Sequence, residues 1–348
     1  MPNKEDIIKI KNKEISFEEL FSKNIDYSFK QFNYLDDKII FVTGGGGSIG
    51  CILIKRLLEQ GSKKIIVLDH SEYAIFKLKL KFKNEIDNKR LYLFLGDIRN
   101  IDTIKKIFSK FPIQIVYHTA AYKHIDILES NYEESISVNI NGSLNLLKEA
   151  SRYNSIEQFI FVSTDKAVKP ISNMGISKRI TELYLLKEIF QNKNTRNIKI
   201  KIIRFGNVFN SSGSVFTIFK YQIENKLPIT ITSKNMKRYF ISKYEASIGM
   251  LEITAPINHS GIYILDMGKS LNIDNLLKKL IKKLVLNFTP KITYLEEIPK
   301  FEKLEEILYF PFEKIENNIF NYKKIDLINY NMRKIETEII NLMLLLKK

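Results

Sequence analysis

The chain has 348 residues, room for roughly two lobes or one large α/β unit. Its 45% hydrophobic content can bury a sizeable core, which excludes intrinsic disorder and collagen-like repeats. One cysteine, Cys51, excludes an internal disulfide, and four scattered histidines (His70, His118, His124, His259) make a poor zinc site, so no metal is expected. Lysine and arginine outnumber aspartate and glutamate by 55 to 39, a net +16. The cations are mostly lysine and lie all along the chain. That fits compositional drift plus an anionic substrate, whereas a nucleic-acid role predicts steep salt-dependent DNA binding.

Residues 1–37 read as a polar N-terminal arm with a short helical pattern around Phe17–Phe21. No apolar run reaches the length of a transmembrane helix, and no apolar segment follows a basic start. No integral membrane segment and a cytoplasmic location are therefore expected. Apolar runs then alternate with amphipathic helical periods. Strands are expected at 38–43, 64–69, 91–96, 113–119, 158–163 and 198–205. Helices are expected at 48–60, after the second strand through 82, near 102–108, at 139–153 and at 177–190. Continuously apolar strands separated by helices predict βαβ units and a parallel sheet covered on both faces. After Asn207 the alternation breaks, with short strands at 228–232 and 261–266 and helices at 244–253 and 273–284. The expected organisation is an arm (1–37), a dinucleotide domain (38–208, with 239–258 packing back on it) and a smaller mixed substrate lobe (209–238 and 259–348). The fold class is α/β, a doubly wound parallel sheet.

Thr43-Gly44-Gly45-Gly46-Gly47-Ser48-Ile49-Gly50 follows a strand and opens a helix. Gly44, Gly47 and Gly50 let the backbone turn sharply and approach a pyrophosphate, which the N–H groups at Ser48 and Ile49 can meet at the positive end of the helix. Asp69 ends the next strand, at the distance where a carboxylate reaches a ribose diol. No arginine follows it to receive a 2′-phosphate, so NAD is favoured over NADP. Asp97 and Ile98 end the third strand; Asp97 either bonds an adenine amino group or caps the following helix. Thr119, Ala120 and Ala121 end the fourth, where small side chains leave room for a cofactor or serve packing alone.

The fifth strand ends Ser163-Thr164-Asp165-Lys166. An adjacent acid and amine at the carboxyl end of a sheet strand form an acid–base pair, or else a surface charge pair in a turn. Met174 and Lys178 stand four apart on one helix face, where the lysine can bond a nicotinamide ribose.

The glycine loop, the strand-five hydroxyl and Lys178 resemble the extended short-chain dehydrogenase/reductases, with Met174 where that family normally carries tyrosine. Asp165-Lys166-Ala167-Val168, Asn173-Met174-Gly175, Arg204-Phe205-Gly206-Asn207-Val208 and Ser211-Ser212-Gly213-Ser214-Val215 together resemble the nucleotide-sugar 4,6-dehydratases of polysaccharide biosynthesis. The branch they fit is the UDP-N-acetylglucosamine 4,6-dehydratases, which carry Ser/Thr-Met-Lys. Asp69-His70-Ser71-Glu72-Tyr73 and Ala121-Tyr122-Lys123-His124 fit it as well. The resemblance runs from about residue 15 to about residue 285. Many members carry N-terminal membrane helices, and this chain is expected to begin after them. One motif departs: where the family has Arg-Pro-Gly-Glu-Lys-Leu, this chain has Pro299-Lys300-Phe301-Glu302-Lys303-Leu304.

The resemblance implies NAD as cofactor, contacted also by His70, Ser71, Lys123 and Lys178. It implies a UDP-sugar substrate contacted by His124, Asn173, Asn207, Ser212 and Arg238, and a homo-oligomer. It implies that hydride leaves C4 of the hexose for NAD⁺, that Lys166 takes the C5 proton, that Asp165 protonates the C6 hydroxyl so that water leaves, and that hydride returns to C6. Thr164 bonds the C4 oxygen, and methionine at position 174 implies retention at C5. Three other readings stay open: an epimerase of the same fold, a non-catalytic NAD-binding protein, since Met174 has no phenolic proton, and the nucleic-acid role.

Overall fold

The computed structural model describes residues 16–21, 30–191, 198–284, 289–319 and 322–346. They fall into two compact units. The larger lies within residues 30–205, 246–266 and 307–346; the smaller lies within 16–21, 206–245 and 267–306.

The larger unit is built on nine strands: β1 (Ile39–Thr43), β2 (Lys64–Asp69), β3 (Leu91–Leu95), β4 (Ile115–His118), β5 (Gln158–Val162), β6 (Lys199–Arg204), β7 (Gly261–Leu265), β8 (Lys314–Ile319) and β9 (Tyr322–Asp326). Their order is β8-β9-β7-β6-β5-β4-β1-β2-β3. The seven strands from β7 to β3 are parallel, and β9 and β8 close the edge antiparallel. Ile40, Phe41, Val42 and Thr43 are all fully buried, as a strand covered on both faces requires. Register aligns Thr43 with Leu68 and His118, and His118 with Phe161. The carboxyl ends of β1, β2, β4 and β5 therefore emerge together, and strand order reverses at β1, where such sheets bind ligands.

The expected strands at 38–43, 64–69, 91–96, 113–119, 158–163 and 198–205 are all present, each trimmed by three residues at most. The long helix of the expected 177–190 begins earlier, at Asn173, and runs to Gln191. Ser172 Oγ accepts the Gly175 N–H at 3.1 Å and supplies the start. The expected helix 139–153 is instead a π-helical stretch, Ser135–Gly142, followed by an α-helix, Ser143–Ala150. The helix expected through Phe82 divides into Glu72–Lys81 and Lys83–Asp87.

The boundary of the substrate lobe is corrected. Residues 261–265 and 307–346, expected there, belong to the sheet unit. Gly261–Leu265 pairs parallel with β6, and the hairpin of β8 and β9 extends the sheet. Helix Met332–Leu345 then packs on Asn173–Gln191. A buried ion network fastens this return. Arg204 donates to both Glu182 oxygens at 2.8 Å and to Glu313 at 2.8 and 3.0 Å. Arg179 donates to Glu182 at 3.1 Å and to Glu338 at 2.8 and 3.0 Å. Every lone pair so engaged offsets the desolvation that an unpaired buried charge would suffer. The segment expected to pack back, 239–258, is shared: 239–245 lie with the smaller unit and 246–258 with the larger.

The smaller unit has its own core. Helix Ile273–Leu284 buries Ile273, Leu276, Leu277, Leu280 and Leu284, one stripe at helical spacing. Helix Val215–Glu224, which the sequence pattern does not mark, adds Phe216, Phe219 and Ile223. Of the expected arm, helix Phe17–Phe21 lies in this unit, with Phe17 and Leu20 buried in its core, while residues 30–37 lie with the larger unit.

Candidate functional site

The loop after β1 is shaped for close approach. Gly44 has φ +69°, and a Cβ there would lie 2.7 Å from the Ala120 backbone. A Cβ on Gly50 would lie 2.3 Å from the Gly44 carbonyl oxygen. Only glycine lets β1, the turn and the helix meet so tightly. Gly47 is the N-cap of helix Ser48–Glu59, and no side chain caps it. The first-turn N–H groups and the positive helix end are thus presented at the carboxyl edge of the sheet, an arrangement that suits a phosphate.

Asp69 is buried at the end of β2. Its Oδ2 accepts from Gly46 N and its Oδ1 from Ser71 N, both at 2.9 Å. The carboxylate is anchored to the loop and to the turn, with lone pairs left for a diol. Ser71 Oγ accepts from Ala74 N and so caps helix Glu72–Lys81. His70 is exposed, its Nδ1 3.7 Å from Asp69. Asp97 does not cap the next helix; Asn100 does, accepting from Asp102 N and Thr103 N. Asp97 instead takes a forked pair of bonds from Arg99 at 2.7 and 3.0 Å. Burial opposes its charge, but the Arg99 bonds prevail and hold the carboxyl below its usual value. Ile98 is buried against Gly142, where a Cβ would lie 2.7 Å from it.

At the end of β4, Thr119 Oγ1 donates to the Thr43 carbonyl at 2.7 Å, so its hydroxyl serves packing. Ala120 meets Gly44, and Ala121 is half-buried beside it. Asn139, in the π-helical stretch, accepts from Tyr122 N at 2.9 Å and donates to Tyr122 O at 3.0 Å and Ser177 Oγ at 3.1 Å. It holds the turn that carries Lys123 and His124. Lys123 is exposed and His124 half-buried. Burial, then the Lys123 charge, lowers the His124 pKa. The sequence pattern missed Asn139, although an asparagine between Val138 and Ile140 in an apolar run was a signal.

His118 ends β4 fully buried. Ser143 Oγ donates to Asn139 O, so His118 Nε2 must donate to Ser143 Oγ at 2.7 Å, and Nδ1 accepts from Thr43 Oγ1 at 2.7 Å. Burial, aided by the charge of Lys178, pushes its pKa down to about 3. It is a neutral structural link.

At the end of β5, Asp165 is fully buried and Lys166 nearly so. Lys166 Nζ donates to Asp165 Oδ1 at 3.1 Å, and Thr164 Oγ1 donates to the same oxygen at 3.0 Å. Asp165 Oδ2 is buried with no hydrogen-bond partner. The Thr164 hydroxyl, expected to face a substrate oxygen, is turned to Asp165 and caps the following turn through Lys166 N. Ser163 Oγ donates to Glu182 at 2.6 Å, which ties this strand end to the buried ion network.

Helix Asn173–Gln191 closes on the pair. A Cβ on Gly175 would lie 2.5 Å from the Lys166 carbonyl oxygen, so glycine sets how near the helix comes. Asn173 N donates to Glu129 at 2.8 Å and its side chain to Leu128 O at 3.3 Å. Met174 is buried, 4% exposed. One turn on, Lys178 Nζ donates to the Val162 carbonyl at 2.9 Å and lies 4.5 Å from the Phe161 ring centre. Burial, partly offset by Glu182, brings its pKa down to about 7.

The remaining candidates lie in the smaller unit. Asn207 N donates to Tyr239 O at 2.9 Å, pairing Asn207–Val208 with Phe240–Ile241. Ser212 is in the exposed turn that follows. Arg238 is buried. It donates to Glu302 at 3.2 Å and to the carbonyls of Lys237 and Leu304 at 2.8 and 3.3 Å. Glu302 stands in the segment that departs from the resembled motif. Among the described residues, no cluster of His, Cys, Asp and Glu has the makings of a metal site, and no helix is long and apolar enough to cross a membrane.

Comparison with known proteins places this geometry in a family. The family described as "Polysaccharide biosynthesis protein" matches residues 40–328. The capsular polysaccharide biosynthesis protein CapD of Staphylococcus aureus is 35% identical over 293 residues, 81% of this chain and 48% of its own length. The chain thus spans about half of that relative. A UDP-glucose 4-epimerase of Rickettsia bellii is 28% identical, over 89% of this chain and 96% of its own. Among solved structures, Pen from Bacillus thuringiensis superposes with a TM-score of 0.74 at 28% identity, covering 84% of this chain and 90% of that one. DesIV, the dTDP-glucose 4,6-dehydratase of Streptomyces venezuelae solved with NAD and TYD bound, shares the fold at a TM-score of 0.69 and 20% identity, covering 78% of this chain and 88% of its own. The chain belongs to the polysaccharide biosynthesis protein family.

Proposed function

We propose that this chain binds NAD and a nucleotide sugar and removes water from the hexose, as a UDP-N-acetylglucosamine 4,6-dehydratase that retains configuration at C5. The observation that carries the reading is the buried Asp165–Lys166 pair at the carboxyl end of β5, with Asp165 Oδ2 lacking any protein partner.

The residues fit a dinucleotide. Gly44, Gly47 and Gly50 form a tight turn, in which a Cβ at Gly44 or Gly50 would run into neighbouring backbone, and Ser48 and Ile49 start the helix that follows. Asp69, with His70 and Ser71, takes the adenosine ribose, and Asp97 and Ile98 take the adenine. Ala120, Ala121, Lys123 and Lys178 line the rest. NAD, when bound, supplies a hydride acceptor that later returns the hydride. The name of a solved neighbour with NAD bound supports this assignment.

The chain's own groups do the proton work. Lys166 Nζ donates to Asp165 Oδ1 at 3.1 Å, a contact along which a proton can pass. With that proton on Asp165, the C4 hydroxyl releases its own proton through Thr164 to water as hydride leaves C4. Neutral Lys166 takes the C5 hydrogen as H⁺, and Asp165 gives its proton to the C6 hydroxyl, which leaves as water. Lys166 returns its proton to C5 as hydride reaches C6, and water restores the proton of the pair. Each transfer contributes about 10²–10⁴-fold. Thr164, by turning its hydroxyl from Asp165, bonds the C4 oxygen. Met174 has no proton to exchange, so it shapes the sugar's face. His124 and Asn173 contact the sugar, and Asn207, Ser212 and Arg238 the nucleotide.

Incubation with UDP-N-acetylglucosamine tests the reading: the product loses the mass of one water, and proton NMR finds C5 retained. The epimerase name of the Rickettsia relative supports a second reading, 4-epimerisation. A product of unchanged mass would select it.

A further inference from the structure

Helix Glu72–Lys81 buries one face and leaves the other apolar. Leu78, and Phe82 just beyond the helix, are buried, and Ala74 meets the phosphate loop at Gly46. Tyr73, Phe76 and Leu80 are 68%, 53% and 65% exposed. They stand at i, i+3 and i+7, so they form one stripe along the helix. Lys77, Lys79, Lys81 and Lys83 are exposed around it. The Lys77 ammonium lies 4.3 Å from the Tyr73 ring centre. The helix packs on β2 and β3, the last two strands at one edge of the sheet, and the stripe lies on its exposed side.

We propose that this face docks the chain peripherally on an anionic lipid surface, the apolar stripe entering the headgroup boundary and the lysines meeting lipid phosphates. A lysine-rimmed apolar helix face is the chemistry of interfacial helices. Charge chooses the partner. A second copy docked through the same face would set the lysines of the two copies against each other, so self-association here works against like charges. The chain's net charge of +16 adds to the attraction of any anionic surface. Three bulky apolar side chains, each more than half exposed, select a surface with an accessible hydrocarbon layer over a fully hydrated polyanion.

The test is flotation of the full chain with vesicles of phosphatidylcholine alone and of phosphatidylcholine with phosphatidylglycerol. Partition onto the anionic vesicles is expected to exceed that onto the neutral ones by roughly tenfold or more and to fall in high salt. Phe76→Glu/Leu80→Glu and Lys77→Glu/Lys83→Glu should each abolish it while leaving melting temperature and bound-cofactor content unchanged, since neither touches the glycine loop. No partition by the wild-type chain would overturn the proposal. So would equal partition onto both vesicle types, undiminished partition by the Phe76/Leu80 variant, or a loss of self-association in that variant without any vesicle binding in the parent.

Discussion

Lys166 reaches Asp165 through Oδ1 at 3.1 Å, and the other oxygen of that carboxyl is buried without a protein partner. An oxygen without a protein donor supports the acid role proposed for Asp165. Asp165→Asn and Lys166→Met are each expected to lower water loss by about 10²–10⁴-fold or more. Bound cofactor should remain, because neither residue touches the Gly44–Gly50 loop. Absorbance of the extracted cofactor and mass spectrometry of the product measure the two effects. Loss of cofactor in both variants would make the pair structural.

Met174 separates packing from chemistry. It is almost fully buried, and its truncation to alanine should lower stability by about 2–5 kcal/mol. A thioether exchanges no proton. Met174→Ala is therefore expected to melt earlier yet turn over measurably below its melting temperature, with C5 retained. A variant as inactive as Lys166→Met while still folded would show that this position takes part in the reaction.

Lys178 carries a pH signature. Burial holds its folded pKa near 7, while an unfolded lysine keeps its proton to about 10.4. Between those values the unfolded chain binds more protons, so this group makes stability rise with pH from about 7 to about 10. Lys178→Met should flatten that rise. Chemical denaturation at a series of pH values, wild type against variant, is the measurement.

The glycine loop makes graded demands. Gly50→Ala sets a Cβ 2.3 Å from the Gly44 carbonyl and should displace the loop, cutting NAD affinity sharply. Gly47→Ala meets only that same oxygen at 3.1 Å, with φ −68°, and should be the milder variant. Asp69→Ala loses the bond to Gly46 N as well as the diol acceptor and should weaken NAD binding while relaxing discrimination against NADP. Titration of the three variants with each cofactor checks the order.

Glu313 is expected to matter far more than its neighbour Glu316. Glu313→Ala leaves fully buried Arg204 short of a partner and should cost about 3–5 kcal/mol. Glu316→Ala removes an exposed pair with Lys324 and should cost no more than about 1 kcal/mol. Denaturant midpoints of both variants decide it.

Much of the architecture was written in local sequence. Strand and helix periods act over a few residues, so six alternating apolar runs were enough to lay out β1 to β6, and the glycine loop named its own position between β1 and its helix. Asp165 and Lys166 are neighbours in the chain, so their pairing was legible as well. What tertiary structure alone decided are the partners made at long range. Glu313 finds Arg204 across 109 residues and Arg179 finds Glu338 across 159, and no periodicity encodes such a meeting. That is why residues 307–346 looked like part of the substrate lobe yet complete the sheet. Folding also settled which way side chains turn: the Thr164 hydroxyl is drawn to Asp165, Thr119 to the Thr43 carbonyl, and Arg238 inward to Glu302. In each case a buried polar group takes the acceptor that packing brings within reach, because leaving it unpaired costs more than any preference its local sequence expresses.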